Sequence, residues 1–359
     1  MDFINLKAQQ DRIKSQIDTN IAKVLSHGRY IMGPEINELE EQLADYVGVK
    51  HCISVSSGSD ALLIAMMALG IGPGDEVITT AFTFVATAEM IKILGAKPIF
   101  IDIDPQTYNI DPTKISMSIT PKTKLILPVS IFGQCADMDA INAIAKQHKL
   151  PVLEDGAQSF GATYNEKKSC GLSTLGCTSF FPSKPLGCYG DGGAIFTNNQ
   201  TLSKVMREIR IHGQDRRYSY KRIGINGRLD TIQAAILLAK FEIFPNEVIL
   251  RNKVGERYTT YINALEPNIV TPKITTNCTT VYAQYSVTSN NRDQIIDKLR
   301  KLGIPTAVHY PTPLHLQTPF SNNIDLPIAE KISTKIFSLP MHPYLEIEEI
   351  EKVSQALAL

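Results

Sequence analysis

The sequence carries no excess of charge of either sign. Lysine plus arginine and aspartate plus glutamate both number 36 among 359 residues, so the formal net charge is zero. A protein that binds nucleic acid through phosphate groups needs a field of positive charge, which this chain lacks. The charge balance therefore argues against a nucleic-acid partner and favours a small molecule.

Paired cysteines, long apolar runs and a leader segment are also missing. The six cysteines form no Cys-x-x-Cys pair, and no histidines stand at zinc-site spacing, so we expect reduced thiols and no metal. No stretch reaches the roughly 18 apolar residues of a membrane span, and residues 1–6 lack the pattern of a signal peptide. These features predict a cytoplasmic protein without a membrane partner.

Short apolar runs alternate with helical patterns between residues 51 and 197. Residues 98–101, 124–129 and 151–154 are typical of buried strands, and residues 59–69 and 83–94 of helices. Strands joined by helices at these lengths indicate βαβ units. We therefore predict an α/β fold with a mostly parallel sheet that is covered on both faces.

The last third of the chain has a different pattern. A long helical stretch follows Arg228 and is predicted to be interrupted at Pro245. Strands are predicted at residues 281–288 and near 306–309, with helices before and after the second strand. We therefore divide the chain into two domains. Residues 1–240 form the large domain with an N-terminal helix, and residues 241–359 form a bridging helix and a smaller C-terminal α+β domain.

One lysine has an unusual setting. Lys184 stands between the apolar run of residues 179–182 and the glycine-rich residues 190–193. A lysine in a partly desolvated pocket loses proton affinity, and its neutral amine is the nucleophile that Schiff-base chemistry requires. Most lysines are solvated surface amines, but these neighbours are not typical of that class. We therefore predict that Lys184 is catalytic.

Acidic residues end the predicted strand at residues 151–154. Open α/β sheets bind their ligands at the carboxyl ends of the strands. Asp155 lies at such an end and could keep a pyridine nitrogen protonated, so that the ring accepts electrons from a substrate carbanion. A turn or helix-capping aspartate is the alternative. Gln158 could donate to the ring oxygen.

Small residues connect a strand to a helix at residues 56–60. Free N–H groups at a positive helix end form a phosphate site, although the same residues are also typical of an ordinary N-cap. With the hydroxyl group of Ser179 as a further donor, the stretch predicts a phosphate site. Phe82 or Phe84 could stack on a flat cofactor, with core packing as the alternative for each.

Two polar segments punctuated by glycine follow, at residues 212–218 and 224–230. Their arginines, among them Arg228, could bind phosphate or carboxylate bidentately, with a solvated charged loop as the alternative. His309 and Tyr310 end a predicted strand and could contact substrate, although structural roles are more usual for such residues. We name these three residues as substrate-binding candidates.

Taken together, five motifs resemble those of the DegT/DnrJ/EryC1/StrS family of nucleotide-sugar aminotransferases. They are residues 57–62, 83–87, 154–158, 179–184 and 226–230. The resemblance extends from Phe3 to Pro343. It implies a fold type I, aspartate aminotransferase-like structure with a seven-stranded, mostly parallel mixed sheet. Two departures are Ser59, where the family usually has threonine, and Gly156, where it usually has alanine or cysteine.

The resemblance assigns catalytic roles. It implies that Lys184 carries pyridoxal 5'-phosphate (PLP) as a Schiff base, that Asp155 faces the pyridine nitrogen, and that Gln158 lies near the ring hydroxyl group. L-Glutamate would give its amino group and leave as 2-oxoglutarate before a nucleotide-linked keto sugar accepts the group.

Further contacts with the cofactor are implied in the same way. Gly58, Ser59 and Ser179 would hold the phosphate, and Phe84 rather than the other candidate ring would stack on the pyridine. Asn226 would reach the phosphate of the neighbouring subunit's cofactor. The resemblance thus implies a homodimer with its active sites at the interface.

Within the family, residues 133–137, 180–189 and 309–311 are most similar to enzymes that aminate UDP-2-acetamido-2-deoxy-3-oxo-D-glucuronate for O-antigen lipopolysaccharide. A 4-keto nucleotide sugar is the alternative substrate. Sugar dehydratases similar to this family carry histidine where Lys184 stands, which argues against dehydration. A regulatory DNA-binding protein is the non-enzyme alternative, and zero net charge argues against it.

Overall fold

The computed structural model describes residues 1–358. Its α-helices are α1 (Leu6–His27), α2 (Pro34–Val47), α3 (Gly58–Ala68), α4 (Ala86–Ile93), α5 (Ile115–Ser118), α6 (Met138–His148), α7 (Gln200–Ile209), α8 (Thr231–Leu265), α9 (Arg292–Lys301), α10 (Pro327–Ser333) and α11 (Ile347–Leu357). Among the helices of this described part, none has the length and apolar character needed to cross a membrane.

The strands are short. They are β1 (His51–Val55), β2 (Glu76–Thr80), β3 (Lys97–Ile101), β4 (Thr123–Ile126), β5 (Leu153–Asp155), β6 (Thr163–Tyr164), β7 (Lys167–Lys168), β8 (Leu175–Ser179), β9 (Gly193–Thr197), β10 (Gln214–Arg216), β11 (Ser219–Tyr220), β12 (Tyr285–Thr288) and β13 (Ile336–Leu339). β12 and β13 pair antiparallel in the C-terminal part, and β10 and β11 form a hairpin.

Seven strands form the central sheet in the order β3-β2-β4-β5-β8-β9-β1. Ladders connect β3-β2-β4 and β5-β8-β9-β1, and the parallel bridges Ile126–Val152 and Val129–Asp155 join the two groups. Neighbouring strands are parallel except at β9, which runs antiparallel to both β8 and β1. The prediction of a mostly parallel mixed sheet is therefore confirmed.

Both faces of the sheet are covered, as alternate residues of β9 show. Ile195 packs into an apolar cluster with Ala61 and Ile64 of α3. Its neighbour Phe196 points to the other face and packs with residues of α2 and α8, including Leu39. Since side chains alternate across a strand, two separate apolar layers require helices on both sides.

Several predicted elements are wrong in detail. Pro245 lies inside α8 and does not interrupt it, because both neighbouring turns are held by buried side chains such as Phe244 and Glu247. α4 begins at Ala86 rather than at residue 83. In the C-terminal part β12 begins only at Tyr285, and residues 306–309 form one bridge, Ala307–Ser338, instead of a strand. The division into domains at residue 240 stays a prediction, and it falls within α8.

A buried ionic network joins α2, β1 and α7. The Glu40 carboxylate, 4% exposed, accepts hydrogen bonds from Ser54 N at 2.9 Å and from Arg207 and Arg210, both at 2.6 Å. Burial acts to raise the Glu40 pKa, but the two guanidinium groups outweigh it and hold the pKa below its usual value. Arg210 is itself only 3% exposed, so the ion pair of Glu40 with Arg210 is shielded from water.

We expect Glu40→Ala to lower the free energy of unfolding by about 3 kcal/mol, because it leaves the Arg210 charge buried without a partner. Urea unfolding measures the loss. Arg207→Ala is the control: its side chain is 38% exposed, and its loss should cost about 1 kcal/mol or less. Equal small losses in both variants would contradict this account.

The same network sets a pH dependence. The pKa of Glu40 is lower in the folded state than in the unfolded state. Its contribution to the free energy of unfolding is therefore complete at pH values above the unfolded-state pKa, and it is lost as the pH falls through the folded-state pKa. The stability gap between the native protein and Glu40→Ala should therefore narrow in acid.

Candidate active site

A cavity of about 470 Å³ opens at the carboxyl ends of β5 and β8. We call it the catalytic cavity. Nine of the eleven predicted site residues line it: Gly58, Ser59, Phe84, Asp155, Gln158, Ser179, Lys184, His309 and Tyr310. The first seven come from the sheet and its loops, and the last two from the C-terminal part. The cavity thus has the location that open α/β sheets use for ligands.

Lys184 lies in a loop that follows β8. Its backbone N–H donates to the carbonyl oxygen of Phe181 at 2.9 Å, which makes a turn. The side chain is half-buried: one side borders the cavity, and protein surrounds the rest. Burial lowers the pKa of its amine, and the Asp155 carboxylate opposes this shift only in part. The amine is therefore easier to deprotonate than that of an exposed lysine, as a nucleophile requires.

Asp155 ends β5 and is buried, with 6% exposure. Its Oδ2 accepts a hydrogen bond from Thr87 Oγ1 at 2.8 Å, and its Oδ1 accepts one from Ala157 N at 3.2 Å. Burial raises the pKa of the carboxyl group despite these hydrogen bonds and the attraction of Lys184. A cationic ligand atom opposite Asp155 would offset the cost of its burial, and a protonated pyridine nitrogen is such an atom.

The predicted phosphate site lies at the N-terminus of α3. Ser57 is the N-cap, and its hydroxyl oxygen accepts from Asp60 N at 3.0 Å. Gly58 lies so close to Ser179 that an added Cβ would stand 2.6 Å from the Ser179 Cβ. The N-cap and the phosphate interpretations are therefore compatible, because the cap uses Ser57 while Gly58, Ser59 and Ser179 face the cavity.

We expect Gly58→Ala to weaken PLP binding about tenfold or more, because an overpacked contact costs about 1–3 kcal/mol and here displaces Ser179. Titration of the PLP-free protein with PLP measures the change. Gly72→Ala is the control, since an added Cβ there meets nothing within 4 Å. Equal affinity of the two variants for PLP would argue against a phosphate site between Gly58 and Ser179.

Gln158 connects the two parts of the cavity wall. Its Oε1 accepts from Phe132 N at 2.8 Å, and its Nε2 donates to the Tyr310 hydroxyl group at 3.1 Å. Tyr310 in turn lies near Phe84, with ring centroids 6.4 Å apart. Phe84 is 54% exposed and borders the cavity, whereas Phe82 is fully buried in the core. Of the two candidate rings, Phe84 alone is available to a ligand there.

His309 lines the same cavity as Lys184. Its Nδ1 is 2.9 Å from the Ser338 hydroxyl group, and burial, followed by the charge of Lys184, lowers its pKa. The imidazole is therefore neutral at neutral pH. It can give or accept a hydrogen bond without adding a charge to the site.

Two predicted residues do not line this cavity. Asn226 is exposed, and its backbone forms a bridge with Ile211. Arg228 is half-buried, with a buried Nε that has no hydrogen-bond partner within the described residues 1–358. The side chains of Asn226 and Arg228 therefore do not line the cavity that contains Lys184 and Asp155.

The sequence did not single out three residues of the site. Thr87 fixes Asp155, and Gln284 and Asp191 border the cavity. Thr87 is in a predicted motif, but only the structure shows that its hydroxyl group points at the carboxylate. Gln284 precedes β12 and reaches the site from far along the chain, so no local pattern identifies it.

Gly156 has a structural explanation. An added Cβ would lie 2.5 Å from the Cys170 Sγ and 3.0 Å from the Ser169 hydroxyl oxygen. The thiol of Cys170 thus takes the space that an alanine or cysteine at position 156 would need.

The chain is similar to known proteins over nearly its whole length. A family model described as the DegT/DnrJ/EryC1/StrS aminotransferase family matches residues 11–358. A Pseudomonas aeruginosa protein named UDP-2-acetamido-2-deoxy-3-oxo-D-glucuronate aminotransferase is 57% identical over 99% of each chain. A Geobacillus stearothermophilus protein named pleiotropic regulatory protein is 45% identical over 99% of this chain and 97% of its own.

Solved structures include a similar fold with a cofactor. A crystal structure of NtdA from Bacillus subtilis with bound cofactor PMP has a TM-score of 0.94 and 32% sequence identity. The match covers 99% of this chain and 84% of that one.

Proposed function

The chain belongs to the DegT/DnrJ/EryC1/StrS aminotransferase family, and from this premise we propose that it transfers the amino group of L-glutamate to UDP-2-acetamido-2-deoxy-3-oxo-D-glucuronate. It is a PLP-dependent sugar aminotransferase with the type I fold. The observation that supports this substrate is the 57% identity, over 99% of both chains, to an aminotransferase named for that sugar.

The residues of the cavity fit PLP. The approach of Gly58 to Ser179 forms a cradle that a Cβ would fill, as a bound phosphate needs. Asp155 offers a buried anion for the pyridine nitrogen, and Lys184 offers an amine of lowered pKa for the aldehyde. We propose that Ser59 also binds the phosphate, that Phe84 covers the ring, and that Gln158 reaches its hydroxyl group.

Each side chain then has a defined task. PLP, when bound, accepts the electron pair that is left on the substrate carbon after the proton departs. Lys184 would hold the cofactor through its amine, and the same amine, when free, would carry that proton. Asp155 keeps a proton on the pyridine nitrogen, and Thr87 fixes the carboxylate for this purpose. 2-Oxoglutarate would leave before the keto sugar binds, and Lys184 would move the proton in the opposite direction as the sugar takes the amino group.

The sugar side of the cavity is formed by the C-terminal part. His309 and Tyr310 line it, and we propose that they contact the nucleotide sugar. Because the imidazole is neutral and burial raises the pKa of the Tyr310 hydroxyl group, both recognise hydroxyl or carbonyl groups without charge. Arg228 does not line the cavity of its own chain, so in this proposal its charge would reach the diphosphate in the site of a second chain.

We propose a homodimer whose active sites lie at the interface. Asn226 is exposed and does not line the cavity of its own chain, which suits a contact with the cofactor phosphate of a second chain. Exposed apolar side chains support an interface, among them Phe181 at 51%, Tyr218 at 74% and Ile223 at 84% exposure.

Mixing two variants, each of which lacks one residue of the proposed composite site, tests this arrangement. Hybrids of Lys184→Ala with Asn226→Ala chains contain one site with both native residues and should regain activity when the chains are unfolded and refolded together. No recovery, or a single-chain mass in sedimentation, would contradict the proposed interface.

The substrate is tested directly. The protein is incubated with PLP, L-glutamate and a panel of 3-keto and 4-keto nucleotide sugars carrying UDP or dTDP, and products are identified by mass spectrometry and NMR. We expect a 3-amino sugar from the UDP-linked 3-oxo-glucuronate. A product from 4-keto sugars alone would overturn the substrate and leave the family intact.

The cellular setting follows from the substrate. We propose a role in O-antigen or other surface lipopolysaccharide synthesis and a cytoplasmic location, and six free thiols suit a reducing compartment. A regulatory role would need a partner surface, and the zero net charge gives no support for DNA.

A further inference from the structure

Lys240 is a lysine that is almost completely buried, with 1% exposure. It lies in the N-terminal half of α8, on the side that faces the loop after β8. Its Nζ donates to the carbonyl oxygen of Gly187 at 2.6 Å and lies 4.4 Å from the centre of the Tyr189 ring. The ammonium group is thus held by one carbonyl dipole and one aromatic face.

The segment that Lys240 contacts is the loop that carries Lys184. We call residues 180–189 the lysine loop. Its ends meet because Cys188 N donates to the Phe180 carbonyl oxygen at 2.8 Å. Gly187 packs tightly on the first half of the loop, since an added Cβ would be 2.6 Å from the carbonyl oxygens of both Phe181 and Pro182. Lys184 lies at the turn of this closed loop.

Burying an ammonium group costs free energy. An apolar side chain could fill the same space, so packing alone does not explain the lysine. Burial lowers its pKa to about 8, against the attraction of the Glu247 carboxylate. The carboxylate of Glu247 is itself engaged by Gln9 and Tyr344. What the charged group adds is the strong hydrogen bond to Gly187, three residues from Lys184.

We propose that Lys240 is a positioning residue that holds the lysine loop so that the Lys184 amine faces the cofactor. This inference rests on the proposed role of Lys184. Lys240 does not line the catalytic cavity, and it acts through the Gly187 carbonyl group and the Tyr189 ring.

The chain offers a matched control. Lys168, in β7, is half-buried, donates to the carbonyl oxygen of Gly161 at 3.3 Å and lies 4.7 Å from the centre of the Tyr46 ring. It makes the same two kinds of contact as Lys240, but with a different segment. Lys168→Met and Lys240→Met therefore remove the same kinds of contact at different places.

Hydrogen exchange of the PLP-loaded protein, measured by mass spectrometry, tests the proposal. In Lys240→Met we expect peptides that cover residues 180–190 to exchange about tenfold faster, with other peptides unchanged, because a charge-assisted hydrogen bond of the loop is lost. We also expect kcat to fall about tenfold or more at nearly unchanged KM for L-glutamate, because a small displacement of Lys184 is costly. Lys168→Met should change neither quantity.

A second variant covers the case in which Lys240→Met does not fold. Tyr189→Leu removes the ring against the ammonium group and leaves Lys240 in place, and it should change the same peptides in the same direction by a smaller factor. Unchanged exchange of residues 180–190 in the folded variants, or faster exchange spread evenly over the protein, would overturn the proposal. Exchange does not depend on turnover, so a failure of the role proposed for Lys184 would be recognised separately.

Discussion

Replacement of Lys184 by alanine should lower kcat by about 10⁴-fold or more, the upper end of what a positioned acid–base group contributes. The variant loses both the covalent link to PLP and the amine that moves the proton. The visible absorbance of the lysine-bound cofactor should disappear from the purified protein. Steady-state kinetics and an absorbance spectrum measure the two effects.

The exposed Lys167 in β7 provides a control for the loss of a lysine, and Lys167→Ala should keep both the spectrum and the activity. Unchanged turnover by Lys184→Ala would remove the residue from the mechanism. Free alkylamines added to the variant should restore part of the rate, because they can replace the base but not the covalent link to PLP.

Asp155→Asn is expected to lower kcat by about 10²–10³-fold, as the loss of one preorganised electrostatic group does. The amide keeps the size of the side chain and can still accept the hydrogen bond from Thr87. It cannot keep a proton on the pyridine nitrogen, so the ring withdraws fewer electrons. Single-turnover kinetics with L-glutamate isolate the affected step.

The neighbouring residue supplies the control for this experiment. Glu154 is fully buried and accepts hydrogen bonds from Ser130, Ser169 and the backbone of Cys170, and it does not line the cavity. Glu154→Gln should lower stability while the rate of the glutamate half-reaction changes less than about threefold. Similar losses of rate in both variants would mean that the charge of Asp155 has no special role.

Much of the fold could be predicted because local patterns specify it. The alternation of apolar runs and helices between residues 51 and 197 indicated the mostly parallel central sheet. The antiparallel direction of β9 depends on its pairing with β1 and β8, which no local pattern contains. Pro245 shows where local rules fail: packing of α8 against α1, α2 and α11 stabilises the helix across the proline. The single bridge from Ala307 to Ser338 of β13 shows that a strand-like pattern can pair at one residue without forming a strand.

The site was predictable where its residues follow strand ends. Asp155 and Ser179 end β5 and β8, and Gly58 begins a helix, so backbone rules locate them. The contacts between distant segments were not predictable. Gln158 with Tyr310 and Lys240 with Gly187 depend on how the segments pack, which no local pattern contains.

The Cys170 thiol occupies the space that a Cβ at Gly156 would need, so the side chains allowed at the two positions depend on each other. Cys170 has a φ of 70°, a conformation that glycine adopts more readily than cysteine. A chain with glycine at 170 would relieve this backbone and free the space that a larger residue at 156 requires. We therefore expect relatives to have either a larger residue at 156, beside Asp155, with glycine at 170, or glycine at 156 with a thiol at 170.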